Sequence, residues 1–217
     1  MEKDYKMKIL YLESVDSTQI YLKQSLSSGK LKAPVAVCAK VQTRGIGSRE
    51  NEWIGLDGNL FLSFALSLDD LPQDLKLESC SLYFSHILKE ILNNLGSKVW
   101  LKWPNDFYLD EFKIGGMITN ISNNTIICGV GLNLVESPEN FSKIDIEIDI
   151  KNLLELYFKN VEKKSSWKQV FSKYELEFYR NQNFFTHKNN LKISLGNAIL
   201  QCDGSIISNG ERMYSLR

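Results

Sequence analysis

The sequence predicts an α+β fold built on a mixed, largely antiparallel sheet with helices on one face. Strand-like runs dominate the middle of the chain, and several are joined by loops too short for a crossover helix, which favours antiparallel neighbours. Helical periodicity is confined to a few segments, the longest amphipathic and closed by a glycine, so that helices cover the sheet rather than alternate with every strand. A chain of 217 residues accommodates one substantial domain with a small appendage.

In chain order, strands are expected at "KILYLESV", "VAVCAKV", "NLFLSFALSL", "KVWLKW", "FYL", "FKIGGMITNI" and "TIICGVGLNL". Helices are expected over about 17–27, 73–95, 149–161 and 166–182. "VDSTQIYLKQ" reads as a helix start in which Asp16 caps and Gln19 reaches back in a capping box; alternatively Ser17 and Thr18 offer hydroxyls to a ligand. The segment 73–95 ends at Gly96, a suitable helix stop. The last helix closes a main domain over 1–187. Residues 188–217 then form a small β module of three or four strands, with turns at Gly196-Asn197, Asp203-Gly204 and Asn209-Gly210.

Charge is balanced, 26 basic against 26 acidic residues, which argues against a protein held mainly by nucleic-acid phosphates. The four cysteines are scattered without a Cys-x-x-Cys pair, as in a reduced, cytoplasmic protein. The charged start "MEKDYKMKIL" shows no signal peptide, and the greasiest run is too short to span a bilayer. Neither histidine pairs with a nucleophile or shows metal-ligand spacing, so hydrolase and zinc chemistries have little support.

Three stretches carry candidate chemistry. In "KWPNDFYLDEFKIGG", residues 102–116, "FYL" and "FKIGGMIT" read as a hairpin around Asp110-Glu111. Strand alternation puts Lys113, Gly115, Met117 and Thr119 on one face, and a glycine beside a strand lysine leaves room for close approach by a ligand. The following strand puts Gly129, Gly131 and Asn133 on one bare face, and Cys128, Val130, Leu132 and Leu134 on a greasy one. Whether the bare faces coincide depends on register. The loop "VQTRGIGSRENEWIGLDGNLFLS" is polar and glycine-rich, able to wrap an anion with its backbone N–H groups. It is neither a dinucleotide fingerprint nor a P-loop, and a plain flexible loop is the competing reading.

Taken together and in this order, "DSTQ", "QTRGIGSRENEW" with "GNLFLSF", "KWPND", "KIGGM" and "GVGLN" resemble the biotin protein ligases. The most specific part is "KWPND" followed seven residues later by "KIGG". The resemblance implies a catalytic core like that of class II aminoacyl-tRNA synthetases, followed by a shortened SH3-like module. It implies ATP-dependent attachment of biotin to a lysine of the biotin carboxyl carrier protein of acetyl-CoA carboxylase through biotinyl-5′-AMP, with Mg²⁺ offsetting the triphosphate charge. By the same resemblance Lys113 bridges the biotin carboxylate and the α-phosphate. Asp106 is the nearest carboxylate for the metal or for assisting the incoming amine.

Biotin would be held by Ser17, Thr18, Gln19, Gln42, Gly45, Ile46, Gly47, Gly115 and Gly116 beside Lys113. ATP would be held by Arg49, Trp53, Asn105 and Asn133, again with Lys113. Ile46 and Ser48 stand where the family usually has arginines, leaving the loop's side-chain roles to Arg44, Arg49 or backbone amides. A first strand near residue 7 leaves no room for a DNA-binding helix-turn-helix, so a monofunctional enzyme is expected: a monomer or homodimer with no nucleic-acid or membrane partner. The nearest alternative is a lipoate ligase or octanoyltransferase of the same superfamily, whose pocket lacks ureido partners. A non-catalytic biotin-binding module is another.

Overall fold

The computed structural model describes residues 7–47, 52–53, 55–188 and 191–214. At its centre is a seven-stranded sheet in the order β1-β2-β5-β9-β8-β7-β6. These strands are β1 (Lys8–Val15), β2 (Val35–Gln42), β5 (Leu60–Ser67), β6 (Trp100–Lys102), β7 (Asp106–Leu109), β8 (Phe112–Ser122) and β9 (Thr125–Leu132). Two-residue strands β3 (Gly45–Ile46) and β4 (Glu52–Trp53) pair above it. Among the described strands only β1 and β2 run parallel. The helix α1 (Thr18–Ser27) joins them, the kind of crossover a parallel pair needs.

Local chemistry explains where the helices start and stop. Ser17, not Asp16, caps α1: its Oγ accepts from Ile20 N at 3.5 Å. Asp16 lies one residue outside, where its carboxylate accepts from Thr43 Oγ1 at 3.0 Å. The expected capping box is therefore absent, and Gln19 turns inward to Ser63 instead (3.0 Å). The second helix, α2 (Cys80–Asn94), begins later than its periodicity suggests, after a 3₁₀ turn at Leu77–Ser79. It ends as expected: Gly96 takes φ 105°, and Ser97 N returns to Leu92 O at 3.0 Å. Asp149 caps α3 (Ile150–Glu162), and Ser166 with Gln169 forms a full capping box on α4 (Trp167–Glu177). A 3₁₀ turn at Phe178–Asn181 replaces the last turn expected for α4.

The sheet has two different faces. Ala36, Cys38, Leu62, Phe64, Cys128 and Val130 point to the main core with α2, α3 and α4. Their strand neighbours Val35, Val37, Ala65 and Ile127 point the other way, onto Leu22 of α1, as period-2 alternation demands. The expected one-sided covering thus holds for three helices. The fourth, α1, covers only part of the opposite face, and the remainder of that face is the site described below.

Beyond α4, β10 (Phe185–Lys188) pairs with β11 (Leu191–Ser194), so a hairpin straddles the boundary expected at 187/188. Then β12 (Ile199–Leu200), β13 (Ile206–Ser208) and β14 (Glu211–Met213) form a three-stranded sheet. The turn at Asn209 and Gly210, with φ 51° and 79°, is the paired left-handed geometry of a two-residue hairpin. Leu195, Ile206 and Met213 join the main core, and the buried Trp103 indole donates to Gly204 O at 2.8 Å.

Candidate active site

Hairpin register decides what Lys113 faces. The β7–β8 ladder pairs Phe107 with Gly115 but Tyr108 with Lys113, so Ile114 is an extra residue in a bulge. A bulge resets side-chain alternation. Lys113 therefore shares its face with Gly116, not with Gly115, Met117 and Thr119 as simple alternation predicts. A Cβ on Gly116 would lie 3.5 Å from Lys113 Nζ, whereas one on Gly115 would strike Gly131 O at 2.5 Å. On the neighbouring pair Gly116 stands opposite Gly131 and Ile118 opposite Gly129. The bare faces of the two strands coincide.

That bareness leaves a pocket over the two strands that is partly open to solvent. At one end the Asp106 carboxylate is shared by two ammonium groups, Lys113 Nζ at 2.6 Å from Oδ1 and Lys102 Nζ at 3.1 Å from Oδ2. Burial pushes the Asp106 carboxyl up, but the two lysines outweigh it and hold the group down to about 2. Asp106 is thus an anion at neutral pH, and the three charges sum to one positive charge. Lys102 is buried and invisible as a site residue in the sequence. Its signal was the spacing across the "KWPND" turn, which brings positions 102 and 106 together.

At the other end is a hydrogen-bonded group of short polar side chains. Gln42 Oε1 accepts from Thr18 N (2.9 Å) and Thr18 Oγ1 (3.1 Å), Thr18 Oγ1 meets Ser63 Oγ (2.9 Å), and Ser63 Oγ reaches Gln19 Oε1 (3.0 Å). Thr18 and Ser63 have one hydroxyl proton each for three contacts, so the group is short of protons and rich in acceptors. Gln19 Nε2 is buried with no partner among the described residues. Such a site fits a ligand with several N–H donors and one carbonyl acceptor. Ser63, buried in the apolar strand β5, is a second residue that sequence reasoning missed. A lone serine in "NLFLSFALSL" was its only signal.

Trp53 roofs the middle. Its indole lies where a Cβ on Gly131 would come within 2.5 Å of Cε2, and it packs edge-on to Phe141 with centroids 6.5 Å apart. Its Nε1 is buried without a partner among the described residues. Ser17, Ile46 and Gly47 also line the cavity. Gly45 lies beneath the roof, where a side chain would collide with the Trp53 carbonyl and the Gln42 amide.

Asn105 lines the cavity, with Nδ2 committed to Met117 O and Oδ1 left as an acceptor. Gly115 and Asn133 are not brought to the cavity wall. Asn133 lies just past β9, with Nδ2 on Ser142 O at 3.0 Å and Oδ1 near Asn59 Nδ2 at 3.5 Å. Arg49 lies outside the described residues, as does Ser48.

The donor set does not suit a protein-held divalent cation. Asp106 is the only carboxylate among the described residues lining the cavity, and ammonium groups occupy both its oxygens. No group of three or more metal-binding side chains occurs among the described residues. The expected role of Asp106 as a metal ligand has no support in this geometry.

The cavity lies on a largely antiparallel sheet, with a Lys102–Asp106–Lys113 group at one end and hydrogen-bonded short polar side chains at the other. The chain belongs to the Biotin/lipoate A/B protein ligase family, which matches residues 11–133. The biotin acetyl coenzyme A carboxylase synthetase of Helicobacter pylori, whose crystal structure contains biotinylated ATP, superposes with a TM-score of 0.93. It is 39% identical, covering 96% of this chain and 100% of that one. The bifunctional ligase/repressor BirA of Escherichia coli is 34% identical over 133 residues, 58% of this chain and 40% of BirA. The biotin–[acetyl-CoA-carboxylase] ligase of Mycobacterium tuberculosis is 26% identical over 145 residues, 64% of this chain and 52% of its own. The matches to these two curated relatives span about half of their length or less.

Proposed function

We propose that this protein attaches biotin to a lysine of a biotin carboxyl carrier protein, using ATP and passing through biotinyl-5′-AMP. One observation carries the reading: the two ends of the cavity match the two ends of biotin. The ureido ring has two N–H donors and one carbonyl, the complement of the acceptor-rich Thr18–Ser63–Gln42 group and the unpartnered Gln19 Nε2. A site whose polar groups are satisfied only by such a ring discriminates strongly against acids lacking it, which favours biotin over lipoate or octanoate. The valeryl chain runs over the bare backbone of Gly129 and Gly131 beside Ile118 and delivers its carboxylate to Lys113.

There the biotin carboxylate attacks the α-phosphorus of ATP and pyrophosphate departs. A lysine amine of the carrier then attacks the acyl carbon and releases AMP. Lys113 holds two anions together that otherwise repel, and its compact ammonium follows a phosphorus centre that changes geometry. Asp106, anchored by Lys102, keeps that ammonium in place before substrates arrive. Trp53 covers the adenine ring over Gly131, with Asn105 Oδ1 free to accept from the adenine amino group. Mg²⁺ enters as the counter-ion of the ATP triphosphate, not as a resident metal. Cytoplasmic location belongs to the same proposal. Among the described residues no helix is long and apolar enough to cross a membrane.

Incubation with ATP, Mg²⁺, biotin and a carrier domain, read by intact mass, tests the proposal. The expected result is a carrier heavier by one biotinyl group, with no addition from lipoate. Addition of lipoate in preference to biotin would transfer the assignment to the lipoate branch.

A further inference from the structure

Asn105 and Asp106 reach the cavity on the turn that follows β6, the last strand in the sheet order. The front of that turn is tied to β8: Met117 N donates to Asn105 O at 3.0 Å, and Asn105 Nδ2 donates to Met117 O. Its back is tied to a residue far along the chain. Asn181 Oδ1, in the 3₁₀ turn after α4, accepts from Trp103 N at 2.7 Å. Both residues are wholly buried. The Asn181 amide is held in one orientation, because its Nδ2 donates to Phe178 O at 3.0 Å and only its oxygen can accept. A side-chain amide thus satisfies, at the edge of the sheet, a backbone donor that a further strand would otherwise take. The partners are 78 positions apart in the chain, so no local motif announces the contact.

We propose that Asn181 is a positioning residue for adenylate formation, holding this turn so that Asn105 and Asp106 stand at the spacing the nucleotide and Lys113 require. The inference rests on the ligase reading above and adds to it a residue that does not line the cavity. Its physical ground is where slack appears when the amide is lost. The Trp103 indole stays anchored, since its Nε1 donates to Gly204 O at 2.8 Å. The main-chain end of the same residue is freed, and a buried N–H left unpaired drives the backbone towards another acceptor. Two positions further on is Asn105, and next to it Asp106, whose carboxylate fixes Lys113 Nζ at 2.6 Å. A misplacement of about 1 Å at such a group costs up to about a hundredfold in rate. The opposite end of the cavity is built by Thr18 of α1, Gln42 of β2 and Ser63 of β5, so ring recognition does not depend on this turn.

The test separates positioning from stability in the full chain. Asn181→Leu keeps the volume and removes the acceptor. It should lower kcat/KM for ATP in biotin-dependent pyrophosphate exchange about thirtyfold per folded molecule, while biotin affinity by calorimetry stays at the wild-type value. Asn181→Asp keeps an oxygen that accepts from Trp103 N in either protonation state. It should recover exchange to within about threefold of wild type, even where chemical denaturation shows it to be less stable. Should the leucine variant not fold, Asn181→Ser, one atom too short to reach Trp103 N, is read in its place. A purely structural role predicts wild-type exchange per folded molecule in every variant, or losses that follow stability. Either result overturns the proposal, as does a fall in biotin affinity equal to the fall in exchange. Exchange absent from the wild-type protein overturns the ligase reading first, and the role of Asn181 with it.

Discussion

Lys89 and Lys113 are both paired with carboxylates, in contrasting surroundings. Lys89, on α2, lies 3.0 Å from Glu90 Oε1 and 3.1 Å from Glu177 Oε2, and its side chain is 7% exposed. Around it Ser85 Oγ, both nitrogens of His86, Tyr174 OH and Glu177 Oε1 are buried without hydrogen-bond partners among the described residues. Helices α2 and α4 close over that cluster. Lys113 instead opens onto a cavity, its side chain 27% exposed, beside glycines whose missing side chains leave the space. Burial of charge is common to both clusters, so it does not distinguish the proposed site. The emptied backbone beside Lys113 does, because a ligand needs volume as well as charge.

The contrast can be broken by substitution. Lys113→Ala should lower pyrophosphate exchange by about a thousandfold while circular dichroism stays native, because Lys102 still neutralises Asp106; wild-type exchange would remove Lys113 from its assigned role. Gly131→Val should push Trp53 off the sheet and raise the KM for ATP about tenfold, or about 1.4 kcal/mol of binding. The expected change in biotin affinity, read by calorimetry, is smaller. In the closed cluster the expectation reverses. Lys89→Met strands the Glu177 carboxylate and should cost about 2–3 kcal/mol of stability in chemical denaturation. Exchange per folded molecule should stay unchanged, and a selective loss of exchange would make the cluster catalytic.

The smallest effect is a pH slope. Burial, followed by the Lys89 charge, holds the His86 pKa well below its ordinary value of 6.5. The unfolded chain then binds a proton that the folded protein refuses, so stability is complete above about pH 6.5 and falls as pH drops below it. The slope approaches about 1.4 kcal/mol per pH unit for one proton. Asp106 contributes in a lower window. Its folded value lies below the ordinary 3.8, so its stabilisation is present above that value and lost as pH falls towards 2. A His86→Leu variant should lose the slope between about pH 4.5 and 6.5 and keep the loss at lower pH. An unchanged slope in the upper window would mean that His86 is not its source.

Much of the fold could be read from local pattern, because the forces involved are local. Seven strand runs of the central sheet, the helical segments beginning near 149 and 166, and the stop at Gly96 follow from periodicity and from the orphan groups at helix ends. Lys113, Asp106, Thr18, Gln19, Gln42 and Trp53, named from separate motifs, converge on one cavity. Asn133 does not, since its amide serves the turn behind it.

What the sequence determined by itself was the alphabet of the site: a strand lysine, bare glycines, a cluster of small polar groups and the family that arranges them so. Only the tertiary structure decided which of these meet. The bulge at Ile114 turned Lys113 towards Gly116, the β8–β9 register laid Gly116 against Gly131, the β6–β7 pairing set Lys102 on Asp106, and packing of α1 on β5 brought Thr18 to Ser63. Each of these is a pairing between segments, and a one-residue slip inverts a face without changing any local preference. Register therefore depends on packing across the whole sheet, which no short stretch of sequence contains.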